Sequence, residues 1–293
     1  MELTFYYILV VLSALGNGIN FALIKLYQTK QGNTIETGAI FNCLVGIAGS
    51  ILYFVLCGFK VELTPFSLII AVLFTLFVGL YTIVGFKIMS LGSMAVYTTF
   101  LMLGGMILPY FYGLIFLDEK ITVLKVAALL MMIFAIILQN GGDKKKGKTL
   151  FYILCVAVFI LNGCTSVVSK MHQINTGYSV VSENGFVLLK NIMLFVLFGA
   201  MIPFVAKDKK KILTIKPSIY IIIVLSTIAG NLAYAFQLIG SSHLPATIQF
   251  PIISGGTIVF SALMGLIFFK EQITKRQLLS LVICIVSMVL FII

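Results

Sequence analysis

Residues 7–26 and 152–171 read as two copies of one segment, with seven of twenty positions identical: Tyr7/Tyr152, Ile8/Ile153, Leu9/Leu154, Val11/Val156, Asn17/Asn162, Gly18/Gly163 and Lys25/Lys170. The run Gly113–Thr122 recurs as Gly265–Thr274, seven of ten identical, and Glu36-x-Gly38 recurs as Glu183-x-Gly185. The offset drifts only from 145 to 152 residues, so the chain divides into two similar halves, 1–143 and 144–293. A fold for this sequence must therefore be built twice from one unit.

The medium follows from composition. Apolar residues make up 61 % of the chain and charged residues 10 %, with a mean hydropathy of +1.16, against roughly 45–50 % and 25 % in soluble domains. Apolar runs near 3–25, 36–58, 65–86, 93–116, 121–139, 149–169, 184–205, 217–238, 244–268 and 275–293 predict ten spans. Runs this continuous satisfy their backbone in lipid only as helices. The expected fold class is thus all-α integral membrane, with ten transmembrane helices as two five-helix repeats. Five crossings per copy would set the second copy upside down relative to the first, giving inverted repeats. The first run lacks a basic leader and a small-residue cleavage pattern, and reads as a retained span. Short connections predict successive helices as antiparallel neighbours, with one linker at 140–149 where the halves join.

Charge fits the same picture. The net charge of +11 gathers in connections, above all Asp143–Lys148 and Lys207–Lys211, as topology determinants facing anionic lipid. No nucleic-acid-binding module is present. Fifteen of the twenty Lys and Arg fall on the odd-numbered connections and five on the other side, which taken literally sets both termini outside the cytoplasm. The five cysteines lie in or at the ends of apolar runs without disulfide or metal spacing, and His172 and His243 have no ligand partners in sequence, so neither a metal nor a cofactor is expected.

Two matched five-span halves, Glu119 and Glu271 after the fourth span of each, and the Gly-apolar-Glu-x-Ile-Thr lead into the fifth resemble the drug/metabolite transporter superfamily, in its ten-helix EamA-type branch. The resemblance covers essentially the whole chain. It implies a carrier, an exporter or exchanger of amino acids, sugars, nucleotide sugars or other metabolites, in the cell membrane. It also implies termini in the cytoplasm, against the lysine distribution. The four-helix members of that superfamily use a buried Glu in the first span, and Tyr7–Leu23 holds none.

Polar side chains inside spans point to the working surface, since lipid penalises them. Asn17 with Asn20, and Asn162 with Thr165, sit three residues apart on equivalent spans and form two related polar patches. They could line a substrate cavity or hydrogen-bond helices together. Lys190, beside Asn191, lies about two turns into its span, roughly 10 Å deep, where a cation could receive a substrate carboxylate or snorkel to the interface. Asn231, Tyr234 and Gln237 form a stripe at three-residue spacing, Gln249 lies between Pro245 and Pro251, and Tyr97 leads the matching polar segment of the first half. Amides donate and accept, and tyrosine adds a flat contact. Pro109, Pro245, Pro251, Gly104-Gly105 and Gly255-Gly256 invite a hinge reading.

The expected partners are a small-molecule substrate and the lipid bilayer, with a homodimer allowed and nucleic acid excluded. The leading expectation is a secondary transporter of a small polar metabolite such as an amino acid, working by alternating access. No Gly-x4-Gly-Lys-Ser/Thr loop exists to let ATP drive it. A flippase for a lipid-linked intermediate and a non-transporting sensor are the alternatives. An intramembrane enzyme is not expected, because nine acidic residues supply no paired carboxylates within a span.

Overall fold

Local capping chemistry sets where the helices begin. Thr34 and Thr37 cap each other reciprocally at 2.9 and 3.2 Å, Thr274 and Gln277 do the same at 3.0 and 3.2 Å, and Ser182 accepts from the Gly185 amide at 3.2 Å. In the computed structural model, which describes residues 2–91, 94–140, 149–206, 216–270 and 272–293, these caps open three of ten helices. The set is α1 (Glu2–Gln31), α2 (Ile35–Leu56), α3 (Pro65–Leu91), α4 (Met94–Phe116), α5 (Val123–Asn140), α6 (Thr149–Ile174), α7 (Glu183–Val205), α8 (Pro217–His243), α9 (Ala246–Phe269) and α10 (Lys275–Ile292). Apart from Asn140 and Thr149, the expected linker, with the division at 143/144, lies outside the described residues. So do the lysine runs 143–148 and 207–211, and Glu271.

Nine of these helices are long and apolar enough to cross a membrane, and Val123–Gln139 is a shorter apolar helix. Large apolar side chains cover the outside: Ile51, Ile69, Phe134, Ile153, Ile221 and Ile267 are all exposed. A surface of that kind suits lipid, and the chain is a multi-pass membrane protein.

The packing departs from the expectation of successive neighbours. The most extensive crossings are α1 with α8 and α9, α2 with α7, α4 with α6, α3 with α6, and α5 with α10, while α2–α3 and α3–α4 barely touch. Close crossings are steered by small residues. A Cβ on Gly46 would lie 2.6 Å from the Phe195 amide nitrogen, and one on Gly49 2.6 Å from the Asn191 side chain, so α2 and α7 approach at a distance that only glycine permits. Among helices joined by a short connection, α9 and α10 do pack, Gly255 and Gly256 facing Met288, where an added Cβ would lie 3.3 Å from it.

The crossings also come in related sets. Replacing each helix of one half by its counterpart in the other turns α1–α8 into α3–α6 and α1–α9 into α4–α6, while α2–α7, α4–α9 and α5–α10 map onto themselves. The correspondence reaches single residues: a Cβ on Gly18 would lie 2.7 Å from Phe260 Cβ, and one on Gly163 2.6 Å from Leu108 Cβ. Gly18 pairs with Gly163 at the 145-residue offset and Leu108 with Phe260 at 152.

Candidate functional site

Helix ends that share one face of the molecule surround a cavity of about 820 Å³. Its walls come from the C-terminal third of α1, the start of α2, the end of α3, the start of α4, Gln139 of α5, Asn162 of α6 and Thr257–Ser261 of α9. The lining mixes hydroxyls and amides with an apolar shelf of Phe21, Ile24, Phe41, Met102 and Ile258. This is the usual make-up of a small-molecule site. Part of the polar lining is already used: Tyr27 donates to the Thr37 carbonyl at 3.0 Å, and Asn162 Nδ2 donates to the Leu101 carbonyl at 2.8 Å. Gln139 Oε1 is buried with no hydrogen-bond partner among the described residues. Gly85 makes room for Tyr97, since a Cβ there would lie 2.7 Å from the Tyr97 hydroxyl.

The corresponding region of the second half is closed. Lys170, the repeat partner of the cavity residue Lys25, donates from Nζ to the Ser241 and Leu244 carbonyls, both at 2.6 Å. Glu119 accepts from the Ala246 amide at 2.7 Å, the Thr247 amide at 2.8 Å and the Thr247 hydroxyl at 2.7 Å. A cation thus sits on the carbonyl end of α8 and an anion on the amide end of α9, each matched to its helix dipole. Together they clamp the α8–α9 turn. Behind it, Gln249 is spent internally, its Oε1 accepting from Ser241 Oγ at 3.0 Å and its Nε2 donating to the Gln237 carbonyl at 2.6 Å.

Of the residues singled out in the sequence, Tyr97 and Asn162 line the cavity. Asn20 accepts from Ser226 Oγ at 2.5 Å and ties α1 to α8, while Thr165 donates to the Asn162 carbonyl of its own helix at 2.6 Å. Asn17 is half-buried on α1 outside the cavity lining. Lys190, Asn191, Asn231 and Tyr234 do come together, in the closed region. Lys190 Nζ donates to Asn231 Oδ1 at 2.7 Å and lies 4.7 Å from the centre of the Tyr234 ring, and Asn191 Nδ2 reaches the same oxygen at 3.2 Å. The Tyr234 hydroxyl meets Ser169 Oγ at 2.7 Å. Gln237 contributes its carbonyl here.

Lys190 is 8 % exposed and no carboxylate lies within ion-pair distance of it among the described residues, so Asn231 is its main support. Removing the acceptor is worse than removing the cation, because it strands a buried charge. Asn231→Leu is therefore expected to lower the thermal midpoint of the purified protein clearly more than Lys190→Met. Equal losses would contradict that ranking.

Sequence reasoning passed over Tyr81, Gln139, Thr257 and Ser261 in the cavity, and the Lys170–Glu119 clamp. The Lys25/Lys170 identity was the available signal for the clamp, since a lysine repeated near the ends of two apolar spans needs a protein partner.

No family model matches the chain, and no curated protein matches it. Twenty-eight chains among solved structures do match. One, described only as "Crystal structure of protein", is 14 % identical, spans 97 % of this chain and 98 % of its own length, and superposes with a TM-score of 0.76. That likeness is one of fold.

Proposed function

We propose that this chain is a secondary transporter of a small polar metabolite such as an amino acid, working by alternating access in the cell membrane. In this reading the halves are inverted five-helix repeats of the drug/metabolite transporter type, and the carrier needs no catalytic chemistry or cofactor. The observation that carries it is one-sidedness within a repeated design. A cavity enters from one face and reaches Asn162, while its counterpart is shut by Lys170 and Glu119. Related crossings such as Gly18–Phe260 and Gly163–Leu108 allow the two arrangements to exchange, because what one half does the other can do.

The test compares metabolites in medium and cells expressing the intact chain with cells expressing Asn162→Ala or Tyr97→Phe at equal membrane levels. A compound moved by the intact chain is expected to move at least about tenfold more slowly in Asn162→Ala, roughly 1.4 kcal/mol of lost stabilisation. If the intact chain shifts no compound under several nutrient conditions, the transport reading fails.

A further inference from the structure

We infer that the cavity recognises a polar group that donates hydrogen bonds, a hydroxyl or an amine, with an apolar part of the same molecule lying on the shelf. This inference rests on the transport reading and names the chemistry of the substrate's polar end. The first argument is where the wall's own hydrogens go. Six lining side chains give one to a backbone carbonyl: Tyr27 and Asn162 as described above, Thr29 to Leu26 at 2.8 Å, Thr37 to Thr34 at 2.9 Å, Asn42 Nδ2 to Gly38 at 2.9 Å and Ser261 to Ile258 at 3.0 Å. A hydroxyl carries a single hydrogen and two lone pairs, so the hydroxyls in this set have only lone pairs left to offer, while the two amides keep an oxygen and one N–H each. Lys25, the charged side chain of the described lining, is already engaged by the protein.

The second argument is Gln139. It stands half-buried in the wall, and its Oε1, the buried end, accepts from no described residue. A buried acceptor left without a hydrogen costs about 1–3 kcal/mol, so this amide gains by turning toward any donor that enters the space. The hydroxyls of Tyr81 and Tyr97, also in the lining, can turn either way and set no preference of their own. The balance of the wall is therefore toward acceptors. A carboxylate or phosphate entering it would give up water for lone pairs, whereas a hydroxyl or amine exchanges its water for oxygens that want hydrogens. No carboxylate lies in the described lining, so the wall reads hydrogens and not charge.

The experiment reads the wall without knowing the substrate. Ser261→Cys, and separately Met102→Cys, puts a thiol in the lining on α9 and α4, both packed against α5, which bears Gln139. Each full-length variant is purified in detergent and reacted with two charge-matched pairs of methanethiosulfonates, hydroxyethyl against ethyl and aminoethyl against trimethylammonium-ethyl. The surrounding lysines act equally on both members of a pair, and the unsubstituted chain gives the background from its five native cysteines. Normalised to a free thiol, the member bearing O–H or N–H is expected to react roughly three- to tenfold faster. Gln139→Leu should shrink both ratios, and Gln139→Glu, which keeps an acceptor oxygen and has no N–H, should preserve them. Ratios at or below one in both cysteine variants overturn the inference, as do ratios that Gln139→Leu leaves unchanged or thiols that no reagent reaches. The metabolite comparison separates the two failures. A transported compound with no hydroxyl or amine would sink the donor assignment while transport stands, and a donor preference with nothing transported would uphold an acceptor-lined cavity in a protein that is not a carrier.

Discussion

Gly104→Ala, a change of one methyl group, is expected to deplete folded protein, and Gly104→Leu to abolish it. The site explains the severity. An added Cβ at Gly104 collides with the backbone carbonyl of Phe159, so no side-chain rotation relieves it and α4 must separate from α6. Overpacking by a methylene usually costs about 1–3 kcal/mol. A backbone obstacle in one of the most extensive helix crossings puts alanine at the top of that range, and leucine beyond it. Gly199→Ala is the matched control, because its added Cβ would meet only ordinary contacts, the nearest at 3.8 Å from Cys43 Sγ. There alanine should be neutral or slightly stabilising, since it favours helix by up to about 1 kcal/mol. Size-exclusion profiles and thermal midpoints of fluorescent fusions would separate the two. Similar behaviour of Gly104→Ala and Gly199→Ala would refute the account of the α4–α6 seam.

The second large effect concerns the clamp. Glu119→Gln keeps one acceptor oxygen but turns an amide NH2 toward the donors at the start of α9, so at least one of three charge-assisted bonds is lost. Hydrogen bonds to charged groups are worth roughly 1.5–3 kcal/mol. Glu119 is half-buried, so the lower end applies, about a tenfold shift between closed and open arrangements. Lys170→Met removes both bonds to the carbonyl end of α8 and should act in the same direction, more strongly. Ser169→Cys provides the reporter, since Ser169 is fully buried behind the clamp and against Tyr234. Its reaction with a water-soluble maleimide should be slow alone and roughly tenfold faster when combined with Glu119→Gln. Unchanged labelling in both double variants would mean that Lys170 and Glu119 do not hold this face shut.

The spans were legible because lipid demands long apolar runs, and α2, α4 and α7 begin and end within two residues of where hydropathy puts them. By contrast α1, α3 and α6 run past the apolar stretch, to Gln31, Leu91 and Ile174. The last turns of α1 and α6 are polar in sequence yet remain helical. In α6 the reason is visible, as Lys170 bonds across to α8 and His172 Nε2 meets Ser67 Oγ at 2.8 Å. Tyr97 and Asn162 were legible as cavity residues from polarity and repeat position. Lys190 was legible as a deep cation, but not its direction. Which way that side chain points depends on how α7 is rotated against its neighbours, and its closest neighbours include Gly46 and Gly49 of a helix far away in sequence. The expectation of successive neighbours holds for α9–α10 and fails for α2–α3 and α3–α4, because close approach follows the placement of small residues more than connection length.

The interlocking of the halves has a consequence for synthesis. Helix α1 finds its main partners in α8 and α9, so the groups it buries there stay uncovered until the chain between Gln31 and Pro217 has been made. At about 5–20 residues per second that wait is roughly 10–40 s. During it the nascent first half presents Asn20, the partner of Ser226, to lipid or to the insertion machinery. Ribosome-bound chains ending near residue 215 should therefore be held by that machinery, and released only when α8 and α9 emerge. A gene cut between the halves would yield two products that fold only on meeting each other.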